Sequence, residues 1–316
     1  MEPNATSPDR PVVVVCGATG YLGRHVVKAL HRDGWHVRAL ARDTSRLGDA
    51  APYCDDVFIG HPTGPSTLDG LFDGADAAFS SIGVRSFKRR PTFRDVDQAA
   101  NLNLIDAAER ADVNRFVFVS VLHADDLRDQ SPLLDAREQV VDRLRRGPMK
   151  TTIIRPAGFF NDLVAFLDMA KRGRIWLIGD HHTRINPIHG ADLADVIAEA
   201  LASEDTTDRT VGGPDILTQA QIAEAAFDAA DRPAQVTRVP SGLVHAVGRI
   251  ISPINPNAGA NLQMFALMGQ RNMIGNPVGT HHLSDEFRVR VPSAPPTAGP
   301  SPNSVTSRQT IRTDTT

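Results

Sequence analysis

With 316 residues, 41% hydrophobic and 22% charged, the chain has the make-up of an ordinary globular protein, long enough for one large α/β domain with an appended lobe. Its 34 Lys and Arg against 37 Asp and Glu leave a formal net charge of −3, which gives no global attraction to nucleic acid or to an anionic membrane, so any basic feature acts locally. Two cysteines, Cys16 and Cys54, build no disulfide framework and fit a reducing, cytoplasmic setting. Residues 1–10 carry acidic and proline residues where a signal peptide would need a basic start and a long apolar core, and are expected to be a flexible N-terminus.

In chain order, the apolar run from Val12 to Cys16 reads as a buried strand, with Cys16 as a small core residue. Further strand-like runs follow at His36 to Leu40, Asp56 to Ile59, Ala77 to Ser80, Phe116 to Ser120 and Thr151 to Ile154. Helical patterns separate them, which argues an α/β fold with a doubly wound parallel sheet. From Asp95 to Ala111 a stripe of Val96, Ala99, Ala100, Leu104, Ala107 and Ala108 predicts a helix against the sheet, and a second helix runs from about Leu133 to Arg146. After residue 158 the pattern loosens into a smaller C-terminal substrate lobe, 159–291, from which 186–202 returns to the main domain. No segment is an apolar span: Gly242 to Ile254 is broken by His245, Arg249, Ser252 and Pro253. Residues 292–316, rich in Pro, Ser and Thr, cannot bury enough apolar surface to order and are expected to form a disordered tail.

The most informative stretch is V-V-V-V-C-G-A-T-G-Y-L-G, residues 12–23. Gly17, Gly20 and Gly23 fall three apart between a strand and a helix patterned by Val26, Val27 and Leu30. Such a junction turns tightly, aims backbone N–H groups at a diphosphate and lets helix and strand pack closely. The G-x-x-G-x-x-G spacing resembles the extended and atypical short-chain dehydrogenase/reductases, NAD(P)-binding proteins with a Rossmann fold. The resemblance continues through Arg115 to Ser120, T-I-I-R-P-A-G-F-F at Thr152 to Phe160 and N-P-I-H-G-A-D-L-A at Asn186 to Ala194, and is closest to the NmrA-like branch.

That resemblance implies a dinucleotide cofactor held by Gly17, Thr19, Gly20, Tyr21, Leu22 and Gly23. It also implies that Ser80, Ser81, Ile82 and Gly83 line the ribose and pyrophosphate, and that backbone at Pro156, Ala157, Gly158 and Phe159 meets the nicotinamide. At the end of the second strand, Arg42 stands where the resemblance puts the residue that separates NADP from NAD, with Arg46 close behind. Two guanidiniums suit a 2′-phosphate, so NADP is expected. Asp43 keeps NAD open as the alternative.

Short-chain reductases typically use a Tyr-x-x-x-Lys pair, and here Leu133 and Arg137 align with those positions. The chain's two tyrosines, Tyr21 and Tyr53, stand elsewhere. Leucine cannot donate a proton, and arginine stays charged. Ser120, at the family's catalytic serine position, His123 and Arg137 are therefore the candidate catalytic residues. Two readings stay open: a reductase acting on a small, mainly apolar organic substrate (activated C=C, imine or carbonyl), and a catalytically silent NAD(P)-binding redox sensor or assembly protein. A basic loop, Lys88, Arg89 and Arg90, stands near the expected cleft mouth. His189 and Asp192 read as capping and packing, with Asp192 as the cap. No metal is expected at His181-His182 or His281-His282, because adjacent side chains diverge on a strand or helix.

Overall fold

The computed structural model describes residues 10–84 and 87–291, so the expected flexible terminus (save Arg10) and the tail at 292–316 lie outside the described residues. β1 (Val12–Cys16) runs into α1 (Tyr21–Arg32), followed by β2 (His36–Ala41), β3 (Asp56–Ile59) and β4 (Ala77–Ser80). The helix expected from Asp95 begins as π-helical turns, Arg94–Ala100, and continues as α2 (Asn101–Arg110). Next come β5 (Arg115–Val119), the short α3 (Ala124–Leu127), α4 (Pro132–Arg146) and β6 (Lys150–Pro156). Ser131 caps α4 and Pro132 opens it, while Arg143, Arg145 and Arg146 complement the dipole in its last turn. The rest is α5 (Phe160–Lys171), β7 (Ile175–Ile178), β8 (Arg184–Ile185), α6 (Gly190–Ala202), β9 (Arg209–Gly212), β10 (Leu217–Thr218), α7 (Gln219–Ala230), β11 (Val236–Val239), α8 (Ser241–Ile251), α9 (Pro256–Met268), β12 (Asn276–Pro277) and α10 (Leu283–Val289).

Eight strands form one parallel sheet in the order β12-β9-β6-β5-β4-β1-β2-β3. The chain winds outward from β1 in both directions, so the crevice between the carboxyl ends of β1 and β4 is the switch point where ligands of doubly wound sheets bind. Period-two alternation explains the continuous valine run. Val13 and Val15 join Val26, Val27, Leu30, Leu193 and Ile197 on one face, so α1 and α6 cover that side. Val14 and Cys16 join Leu104, Phe116, Phe118, Val140 and Leu144 on the other. Cys16 is fully buried and its thiol is pushed up by burial, as a core residue should be. A separate core of Phe160, Leu167, Leu177, Ile222, Phe227 and Phe287 sits beyond β6.

Besides α6, two short strands return to the main sheet: β9 pairs with β6 and β12 with β9. At two to four residues and with little apolar content, neither shows a strand pattern in the sequence. Asn186 ties them together: its side chain donates to the carbonyls of Gly213 and Gly275 and accepts from the Gly275 N–H. Among the described residues no helix is long and apolar enough to cross a membrane.

Candidate dinucleotide and substrate site

Gly17 leaves β1 at φ +100°, a conformation that disfavours any side chain. Its carbonyl accepts the Gly20 N–H at 2.9 Å, closing the turn. A Cβ on Gly23 would lie 2.0 Å from the Gly17 oxygen, so the first turn of α1 fits against the loop only as glycine. Gly20 is the N-cap of α1 and brings no capping side chain, and the helix's first turn carries no acidic residue. The loop thus offers backbone donors and the positive end of a dipole at the switch point, which fits a pyrophosphate. Leu22 is core and contributes only backbone, while Thr19 and Tyr21 stay half-buried. On the outer side of the loop a cleft of about 410 Å³ is lined by Thr19, Tyr21, Arg24, His25, Lys28, Asp49 and Asn161. Its two basic residues are already matched by Asp49, at 2.5 Å from Lys28 and 3.8 Å from Arg24.

Of the residues after β4, Ser80 is buried and its hydroxyl donates to Asn101 at 2.6 Å. Asn101 in turn donates to the carbonyls of Ile82, Val96 and Asp97. Ser80 and Asn101 therefore set the path of the loop, and Ser81, half-buried directly beneath Gly17, is the serine that meets the glycine turn. Asn101 was not singled out from the sequence; an asparagine inside an otherwise apolar helical stripe was the available signal.

At the end of β2, Arg42 and Arg46 are both exposed. Asp43 has its carboxylate turned onto Ser45, accepting from its N–H at 2.9 Å and its hydroxyl at 2.8 Å. These bonds hold the Asp43 carboxyl below the usual range. The two guanidiniums face solvent while the acidic alternative is spent on a local cap.

Pro156, Ala157 and Gly158 emerge from β6 with Ala157 buried beside Leu122 and Met273. The Ile188 N–H donates to the Gly158 carbonyl at 2.8 Å. Phe159 meets Tyr21 edge-to-face at 6.5 Å, which joins the expected nicotinamide segment to the glycine loop. Tyr21 does more: its hydroxyl accepts the Gly190 N–H at 2.9 Å, at the start of α6, and its ring packs on His25 and His189. The α6 cap is His189, whose Nδ1 accepts from Ala191 at 3.2 Å. The expected cap, Asp192, instead binds His281 at 2.7 Å, fastening the segment before α10 onto α6.

His25 and His189 are held below the ordinary histidine range, by burial first and then by neighbouring positive charge, His189 for His25 and His281 for His189. Nearby Asp49, Glu286 and Asp192 oppose this only in part. The folded state therefore binds fewer protons than the unfolded chain below about pH 6.5, and stability rises with pH across that window. Exposed His282, held up by Asp215, has the opposite sign and weakens as pH rises. We expect the urea midpoint to fall between pH 7 and pH 5.5, and His25→Gln to flatten the fall. An unchanged slope in that variant would remove the cluster from the explanation.

Ser120 and Arg137 are each tied to a buried carboxylate. Ser120 is buried, donating to Glu138 at 2.7 Å. Glu138 is clasped by both terminal nitrogens of Arg155 at 2.8 Å. Arg137 is paired with buried Asp97 at 2.6 Å, donates to the Val119 carbonyl and lies 5.4 Å over the Phe118 ring. Burial pushes the Asp97 carboxyl up, opposed by Arg137 and the Val84 N–H. Gly83 lies directly against this pair. Leu133 is packed with Phe93, Ala136 and Ala260. Where a Tyr/Lys pair would stand, the chain has an aliphatic contact and two buried ion pairs. His123, by contrast, sits in the loop after β5 in the left-handed region (φ +58°), over a third exposed, its Nδ1 3.6 Å from Asp126.

The two adjacent histidines on the lobe do not diverge as expected. His181 and His182 occupy a turn rather than a strand or helix, their rings 3.9 Å apart, and with Asp180 they bring ligand atoms within 4.8 Å of one another. Arg238, 2.9 Å from the His181 ring nitrogen, sets a positive charge against any cation there.

A family model for NAD(P)H-binding proteins matches residues 17–204, from the first glycine of the loop to just past α6. The chain belongs to this NAD(P)H-binding family. It is 25% identical over 236 residues to the photosystem II assembly factor Ycf39 of Guillardia theta, covering 73% of this chain and 74% of that protein. It is 31% identical over 263 residues to the chloroplastic divinyl chlorophyllide a 8-vinyl-reductase of Zea mays, covering 74% of this chain and 63% of that protein. In fold it resembles a nucleoside-diphosphate-sugar epimerase from Staphylococcus aureus (TM-score 0.71, 16% identity, 88% of this chain and 99% of that one). It also resembles an NADPH-dependent quinone oxidoreductase from Escherichia coli complexed with NADPH (TM-score 0.68, 19% identity, 87% and 98%). The Rossmann-type architecture and the NAD(P)H-binding assignment of this chain thus rest on sequence, geometry and comparison together.

Proposed function

We propose that the chain is an NADP(H)-dependent oxidoreductase that reduces a small, mainly apolar organic substrate, an activated C=C bond before an imine or carbonyl. The observation that carries the cofactor choice is the pairing of exposed Arg42 and Arg46 with an Asp43 already bonded to Ser45. The vinyl-reductase relative supports the choice of a C=C bond as the acceptor. Bound NADPH supplies a hydride from its nicotinamide. Gly17 to Gly23 hold the diphosphate end, and the backbone after Pro156 orients the other. Ser120 and Arg137 act by position: each is engaged by a buried carboxylate, and Arg137 holds the Val119 carbonyl at the end of β5. His123 is then the donor for any proton the substrate needs, since its imidazole is accessible and an enone requires that help less than a ketone does.

A second reading, a silent dinucleotide binder, is favoured by Leu133 and by the Arg137–Asp97 pair, and has support in the similarity to an assembly factor. NADPH consumption against enones, imines and carbonyls separates the two. We expect turnover of an enone, a fall in kcat of about 100-fold in His123→Ala, and a KM for NADPH raised about ten-fold in Arg42→Asp with NADH little affected. Saturable NADPH binding without turnover of any substrate would establish the silent reading, and an unchanged NADPH/NADH preference in Arg42→Asp would refute the phosphate assignment.

A further inference from the structure

The α8–α9 hairpin is built inside out. Small residues make its inner seam: Gly248 and Gly259 approach so closely that a Cβ on Gly248 would lie 2.9 Å from the Gly259 carbonyl. Val244 and Leu267 are buried on the inner side, but four large aliphatic residues of α8 and its end are exposed. Leu243, Val247 and Ile250, spaced four and three apart, share one outer face of α8, and Ile254 follows just past its end. Leu243 is 57%, Ile250 73% and Ile254 67% exposed. A helix that turns its bulky apolar side outward marks an interaction surface rather than a solvated one.

The rim of this stripe is basic. Asn255 donates to the Phe87 carbonyl at 2.8 Å, and Asn257 donates to the carbonyls of Lys88 and Pro91 at 2.7 and 2.8 Å. These bonds fix the basic loop beside the end of α8, with Phe87, Lys88, Arg89 and Arg90 all exposed. Arg249 adds a further exposed cation in the last turn of α8. No acidic residue stands between Asp231 and Asp285, nor between Asp76 and Asp95. Asp95, at the edge of that stretch, lies 3.5 Å from Arg90, so Arg89 and Arg249 carry the surface's excess positive charge in a chain whose acids outnumber its bases.

We infer that the outer face of α8, with Ile254 and Phe87, is a peripheral docking surface for an anionic lipid bilayer, the apolar stripe entering the headgroup boundary and the arginines meeting lipid phosphates. An apolar helix face rimmed by Lys and Arg is the pattern that binds such surfaces without spanning them. A second copy of the chain fits less well: a two-fold interface would bring Arg249 and Arg89 toward their own counterparts, and the acid at the edge of the patch, Asp95, already stands 3.5 Å from Arg90. This inference goes beyond the reduction reading and stands whether or not hydride is transferred.

The test is sedimentation of the full chain with vesicles of phosphatidylcholine alone and of phosphatidylcholine with phosphatidylglycerol, at low and high salt, with the oligomeric state measured in parallel. Binding to the anionic vesicles is expected to exceed that to neutral ones about ten-fold and to weaken with salt. Ile250→Glu and Arg89→Glu/Arg249→Glu should each lower it about ten-fold at unchanged circular dichroism and NADPH affinity. Equal partition to both vesicle types, full binding by Ile250→Glu, or a wild-type dimer that Ile250→Glu dissociates would each overturn the inference, the last in favour of self-association.

Discussion

Gly20→Asp is expected to leave the protein folded and to weaken NADPH binding about 100-fold. Residue 20 has φ −83° and ψ 169°, open to any side chain, and a Cβ there meets only the Gly17 oxygen at 3.3 Å. Aspartate is among the best N-cap residues, so α1 gains a cap that it lacks. The same carboxylate would occupy the helix end proposed to receive the diphosphate. Two like charges about 4 Å apart at an effective dielectric near 20 repel by about 4 kcal/mol, and partial screening leaves about 100-fold in affinity. Gly23→Ala makes the contrast. Its methyl would lie 2.0 Å from the Gly17 oxygen and 2.9 Å from the Ala18 Cα, so the backbone itself must move, at a cost of about 3 kcal/mol in stability. NADPH fluorescence titration beside thermal melting separates the two: one variant folded and weak-binding, the other destabilised. A Gly20→Asp protein that binds NADPH like the wild type would remove the loop from the cofactor site.

The glycine loop and the first six strands were legible because each answers to a local rule. A buried parallel strand is a continuous apolar run, an amphipathic helix repeats every 3.6 residues, and a phosphate turn needs glycine at set spacing. β9 and β12 answer to none of these: they are held by Asn186, which reaches across 27 and 89 positions to Gly213 and Gly275. Capping by His189 instead of Asp192, and the use of Tyr21 as acceptor for Gly190 across 169 positions, likewise depend on long-range packing. The ion pairs left a faint mark. On α4, the inward stripe Leu133, Val140, Leu144 includes Arg137, and the stripe Leu134, Val141 includes Glu138. A charge inside a buried stripe must be partnered, but the partners, Asp97 and Arg155, stand 40 and 17 positions away, beyond any local pattern.

Glu138→Gln is expected to be the most destabilising polar substitution in the fold, lowering stability by about 3–5 kcal/mol. Both partners are nearly inaccessible, with side chains 2% and 4% exposed. Glutamine keeps the shape but removes the charge, leaving the buried Arg155 guanidinium with no carboxylate clasping it, only Asp125 and Asp208 farther off, the latter 3.6 Å from its Nε. Ser120 loses a charged acceptor, and the bond from Arg155 to the Val121 carbonyl is left without its counterweight. The damage therefore falls on the segment between β5 and His123, where the proposed proton donor is positioned. Removing both charges should harm less: in Glu138→Leu/Arg155→Met no ion is stranded, and apolar replacement of a buried pair is often neutral or stabilising. The remaining cost is the Val121 carbonyl and the Ser120 hydroxyl left with fewer partners, about 1–3 kcal/mol each if no water reaches them. Urea unfolding of the wild type, Glu138→Leu, Arg155→Met and the double variant closes the cycle, with Glu138→Gln measured beside them. A double variant no more stable than Glu138→Gln would mean that the hydrogen bonds to Ser120 and Val121, not the stranded charge, dominate the loss. If Glu138→Gln unfolds within about 0.5 kcal/mol of the wild type, the pair does not hold the β5 loop, and the positioning role assigned to Ser120 falls with it.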